Sequence, residues 1–116
     1  MKSESIIQIK SFEFALKIIK LYKLLTENKE YILSKQLLRS GTSIGANVKE
    51  AKSAISKKDF TNKMAIAAKE ARETQYWLEL LNQSQMVKNN YENILTDCEE
   101  LIRILTSIIK TSQTNS

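Results

Sequence analysis

The 116-residue chain has no histidine, no proline, only two glycines and a single cysteine. Without histidine there is no imidazole base, no Ser-His or Cys-His nucleophile pair, and no Glu-x-x-His element of the kind that holds di-iron in helical bundles. Without proline, and with Leu, Ile, Lys, Glu and Ala abundant, little interrupts a helix and few turn signals serve strands, so the sequence predicts an all-α fold. Cys98 alone cannot form an internal disulfide, and no charged-then-apolar leader opens the chain; both point to the cytoplasm. Apolar runs are broken by charges well short of the roughly 18 residues a membrane span needs. A chain of this length is expected to form one domain, residues 1–116, around one modest core.

What is present is positive charge, unevenly placed. The formal net charge is +5, with 13 Lys/Arg against 6 Asp/Glu in residues 1–63 and 5 against 7 in residues 64–116. A basic half suits a polyanion such as RNA or DNA, although lysine also keeps helix surfaces soluble. Lys35, Lys49, Lys52, Lys57, Lys58 and Lys63 gather on the outer side of the second predicted helix and the turn after it. No aromatics are interleaved with them, so the contacts expected there are to phosphates rather than bases.

Apolar spacing predicts four helices, over about residues 11–27, 34–55, 57–83 and 89–111, with residues 1–10 left open. Ser11 and Ser34 read as N-caps, Ser56 with Asp59 as a near capping box, and Asn89 with Glu92 as the last cap. Short connectors make neighbours antiparallel, giving a left-handed up-down-up-down four-helix bundle. The first helix carries two apolar stripes, Phe12, Ala15, Leu16, Ile19 and Tyr22, and Phe14, Ile18, Leu21 and Leu25. Together they cover about 200° of arc, more than the roughly 100° a small bundle buries. The surplus predicts a second partner, and Phe14, Ile18, Leu21 and Leu25 are the stripe expected at an oligomer interface.

The second helix has a narrow face of Leu37, Gly41, Ile44, Val48, Ala51 and Ile55, and Gly41 with Gly45, two glycines within one turn, implies a close approach of backbones or of a side chain. The alanines of the third helix are the expected counterpart. No strand precedes Gly41 and Gly45 and no Lys-Ser/Thr follows them, so they are not a phosphate loop. Beside this face runs a polar stripe, Arg39, Ser40, Ser43, Asn47 and Glu50, richer than packing requires. Arg39 with Ser43 and Glu50 suits a hydrogen-bonded network, and Glu73 lies one turn before Trp77, placed to accept from its indole. Glu70 and Glu73 are three apart, but carboxylates alone on a helix lack the loop-borne Asp, Asn and Gly typical of hard-cation sites. Neither a metal nor any other cofactor is expected, nor a small-molecule substrate, and no catalytic constellation is present.

Residues 37–51 (Leu-Leu-Arg-Ser-Gly-Thr-Ser-Ile-Gly-Ala-Asn-Val-Lys-Glu-Ala), Lys58-Asp59-Phe60, and the run from Ile66 to Leu78, with Phe14-Ala15 and Leu21-Tyr22-Lys23, closely resemble a known pattern. It is that of the bacterial four-helix-bundle family encoded in intervening sequences of large-subunit ribosomal RNA genes. The resemblance implies a cytoplasmic homo-oligomer, commonly a pentamer, with no assigned enzyme activity. Two readings follow: an oligomeric adaptor that engages RNA or DNA phosphates, or a structural or protein-partner module without a nucleic-acid role.

Overall fold

In a computed structural model of the chain the described residues are 2–114, with side chains from residue 6 onward. Four helices account for nearly all of them: α1 (Lys2–Glu27), α2 (Leu33–Lys52), α3 (Lys57–Ser84) and α4 (Glu92–Thr114), with no strand among the described residues. Each helix packs on the next, and α4 closes back on α1, while the diagonal pairs do not approach. The result is a rod of 47 × 20 × 19 Å. Side-chain contacts fix the directions. Along α1, Lys10 meets Glu100 and Lys17 meets Asp97; along α2, Arg39 meets Glu70 and Glu50 meets Lys63; Thr61 of α3 meets Ser112, and Cys98 meets Ala71. In each case the partner number falls as the other rises, so these neighbours run in opposite directions.

The first helix begins well before Ser11. Ile7 is fully buried and extends the buried line Phe14, Ile18, Leu21 and Leu25 toward the N-terminus, with Ser11 itself at the intervening position. Spacings of four and three then run unbroken from Ile7 to Leu25, and Ser11, buried within the helix, donates to Gln8 O (3.3 Å) instead of capping it. This register corrects the interface expectation: Phe14, Ile18, Leu21 and Leu25 are buried in the chain's own core. The exposed stripe is the other one, with Phe12 (66% exposed), Leu16 (53%) and Ile19 (43%), joined by Ile9 (60%).

The glycines of α2 meet α1, not the alanines of α3. A β-carbon on Gly41 would lie 2.8 Å from two carbons of Ile18, and one on Gly45 would lie 3.3 Å from the Ser11 carbonyl oxygen. Small residues on both sides let the two backbones come close, and Ile18 fills the notch at Gly41. The alanines Ala67, Ala68 and Ala71 are nonetheless buried in α3, where Cys98 of α4 sits against the Ala71 carbonyl (3.3 Å).

Helix ends differ from expectation where charge outcompetes hydroxyl. Ser34 lies inside α2, and the cap is Glu30, whose carboxylate accepts from the amides of Ile32 (3.1 Å), Leu33 (3.0 Å) and Ser34 (2.6 Å). These are donors without intrahelical partners, and a carboxylate satisfies them with favourable charge. Ser56 does cap α3 through the Asp59 amide (3.0 Å). The third helix ends where Gln85 turns left-handed (φ 49°), and α4 starts at Glu92, whose amide bonds Asn90 Oδ1 (2.9 Å). It continues to Thr114, beyond the expected end at about residue 111, and residues 115–116 lie outside the described residues.

Candidate functional site

The polar stripe of α2 faces α3. Arg39 reaches across the seam to two carboxylates one helical turn apart, donating through one nitrogen to Glu70 (3.2 Å) and through the other to Glu73. The same Glu73 oxygen accepts from the Trp77 indole (3.2 Å), as its position one turn earlier predicts. Trp77 in turn takes an edge contact from Tyr76, with ring centroids 5.2 Å apart. Behind this group the buried hydroxyls of Ser40 and Thr74 lie 2.9 Å apart, and Thr74 donates to the Glu70 carbonyl (2.7 Å). Desolvation pushes the Glu73 carboxyl up, but the hydrogen bonds from Trp77 and Arg39 outweigh it and hold it below its ordinary range. The guanidinium of Arg39 is raised, chiefly by its bond to Glu73.

The remaining stripe residues do not join this cluster. Ser43 donates to Arg39 O (2.7 Å) and Asn47 to Ser43 O (2.9 Å), each satisfied on its own helix. Glu50 pairs with Lys63 (3.0 Å), which raises the Lys63 ammonium. The expected Arg39–Ser43–Glu50 network is therefore two separate interhelical ties, Arg39 to Glu70 and Glu73, and Glu50 to Lys63. Thr74 was missing from the sequence reading, although a polar residue at core spacing between Ala71 and Leu78 is a legible sign of a buried hydrogen bond. Among the described residues no three His, Cys, Asp or Glu groups gather as a metal site would need. The cluster holds neither an activated nucleophile nor an unpaired base, and what its geometry accomplishes is to clamp α2 to α3.

Of the six lysines expected on phosphates, four come together. Lys49 and Lys52 occupy the last turn of α2, and Lys57 and Lys58 the first turn of α3, on either side of a four-residue turn. Lys63 is nearby but neutralised by Glu50, and Lys35 lies about 21 Å away at the other end of α2, at 1.5 Å per residue. Lys49 and Lys52 complement the helix dipole at a C-terminus. Lys57 and Lys58 oppose it at an N-terminus, where only Asp59 is favourable.

A second exposed surface is the α1 stripe, which with Thr42, Gly45, Ala46 and Lys49 of α2 lines an open, largely apolar groove. Large exposed apolar patches mark interaction sites on soluble proteins. The burial of Cys98 pushes its thiol up to about 12, so it is not a reactive group. Among the described residues no helix is long and apolar enough to cross a membrane.

A closed ring of four amphipathic helices, tied across the α2–α3 seam by the half-exposed Arg39 clamp, defines a four-helix bundle by class. The chain belongs to the family of 23S rRNA-intervening sequence proteins, whose model matches residues 3–107. It is also similar to the crystal structure of a protein of unknown function from the S23 ribosomal protein family of Bacteroides thetaiotaomicron. The two share 52% identity over 93% of this chain and 98% of that one, with a TM-score of 0.87. No curated protein matches the chain.

Proposed function

We propose that the protein is a non-enzymatic, self-associating helical adaptor of the cytoplasm that engages nucleic-acid phosphates through the α2–α3 turn. The observation that supports the reading is a pair of exposed surfaces of opposite character, which adjoin at Lys49. One is apolar, centred on Phe12, Leu16 and Ile19, and suits a second copy of the chain. The other is the cluster of Lys49, Lys52, Lys57 and Lys58, of which two oppose the dipole of their own helix and so are not explained by helix stability. Seam spacings of four and three in α1 support left-handed packing within each bundle. Self-association would multiply each weak phosphate patch through effective concentration, the route by which a small basic bundle attains useful affinity.

The experiment is salt-dependent binding of a labelled nucleic acid by wild type and by a variant with Lys49, Lys52, Lys57 and Lys58 changed to Gln. The expected result is wild-type binding at about 50 mM salt that falls steeply toward 200 mM, and a flatter slope in the variant by about 0.7–0.9 per lost contact. Absence of wild-type binding at the lower salt would leave the protein-partner module as the reading.

A further inference from the structure

The lysine turn does not end at the turn. From Lys58 the outer face of α3 continues through Asn62, Ala65, Lys69, Arg72 and Tyr76 at spacings of four, three, four, three and four, and every one of these residues is exposed. No acidic residue falls on this line over about 27 Å. Beside it, Arg103, Thr106 and Lys110 form a matching exposed row on α4, and Arg72 meets Thr106 at 3.5 Å, which sets the two rows edge to edge. Among the described residues, none of Lys69, Arg72, Arg103 and Lys110 joins an ion pair, whereas Lys10, Lys17, Arg39 and Lys63 each do. Glu73, one turn beyond Lys69, is hydrogen-bonded to Arg39 and Trp77, and Lys69 acts on it as a nearby charge without a direct ion pair. The basic surface stops where Glu79 and Glu99 begin. At that limit stands Tyr76, 55% exposed and steadied by its edge contact with Trp77.

We propose that this α3–α4 face is the track of a single-stranded nucleic acid, running from the lysine turn to Tyr76, on whose ring an unpaired base stacks. The inference rests on the phosphate-binding reading above and adds the path, the strandedness and the aromatic contact. A row of cations follows a backbone whatever its sequence, and a π-face accepts any base that is not already paired. Beyond the turn the track lies on α3 and α4, whereas Lys49 also lines the apolar α1–α2 groove, so self-association through that groove leaves the α3–α4 rows open.

The test uses the full chain with 20-nucleotide oligo(U), oligo(dT) and a 20-base-pair DNA duplex, each labelled, at 50 and 200 mM salt. Three variants are compared: the turn variant described above, a face variant (Lys69, Arg72, Arg103 and Lys110 changed to Gln), and Tyr76→Ala with Tyr76→Phe as its control. Melting temperature and mass check that each variant folds and assembles as wild type. The expected result is that wild type prefers both single strands to the duplex. The face variant should lose up to four contacts, flattening the single-strand salt slope by about 0.7 for each. Tyr76→Ala should weaken single-strand binding about 5- to 150-fold, while Tyr76→Phe retains it. If wild type binds nothing, the phosphate reading fails and this inference with it. If wild type binds and the turn variant weakens it, but the face variant keeps wild-type affinity and slope, the track is wrong and the broader reading stands. Equal binding of duplex and single strands, with Tyr76→Ala neutral, would overturn the strandedness.

Discussion

At the scale of single residues, the α2–α3 clamp and the α1–α2 notch carry the most specific expectations. Glu73 is held below its ordinary range when folded, so its contribution to stability is present above the unfolded value, near 4.5, and is lost as pH falls through the folded value. Replacing Arg39 with Ala should cost about 0.5–1 kcal/mol at neutral pH, a modest figure because the Arg39 side chain is 49% exposed. The gap in melting temperature from wild type should narrow as pH falls below the ordinary carboxyl value near 4.5; a gap that does not change with acidification would show that Arg39 stabilises by packing. Gly41→Ala should destabilise by about 1–3 kcal/mol, because its β-carbon would press on the buried Ile18 at 2.8 Å. The same substitution should cost less in an Ile18→Ala background, which a double-mutant cycle of denaturant midpoints would measure. The sequence announced that glycines marked a close approach and that Arg39 sat in a hydrogen-bonded network. It could not announce which neighbour each would meet, since spacing tells which residues share a face and nothing about which helix lies opposite.

The helices themselves were the most legible part of the chain, and their ends the least. In α1 two apolar stripes of similar strength both follow three-four spacing, so periodicity alone does not choose the inward one. Two sequence signals would have chosen it: the buried line extends to Ile7, and Glu13, Lys20 and Lys23 all fall on the side of Phe12 and Leu16. Ser11 and Ser34 looked like caps because serine favours that role. Burial beside Gly45 explains the first, and the stronger claim of the Glu30 carboxylate on three amides explains the second. Glu30→Ala should therefore destabilise by about 1–2 kcal/mol and speed hydrogen exchange at Leu33 and Ser34 more than elsewhere; uniform acceleration would argue against a local cap. In α3, Lys58→Glu removes a cation from the positive end of the helix dipole. It should raise the melting temperature slightly while weakening nucleic-acid binding, an opposition that a purely solubilising lysine would not produce.

For the molecule as a whole, the apolar stripe of α1 sets the expectation that the protein does not persist as a 13.3 kDa monomer at micromolar concentration. Light scattering should give a multiple of that mass, five-fold if the assembly follows the resemblance, and Phe12→Asp with Leu16→Asp should return it to the monomer with helicity intact. A wild-type mass of 13.3 kDa across that range would remove self-association from the reading. The seat of Ile18 against Gly41 then acquires a mechanical meaning. Sliding α1 along α2 by one turn would bring the ring of Phe14 or Tyr22 to a notch that an isoleucine already fills, so the seam behaves as a keyed joint and not as a shear plane. A bundle keyed in this way is a strut. If copies associate through the α1 stripe as proposed, movement of one against another is confined to the joint between bundles, and the angle of the assembly is cast in the monomer.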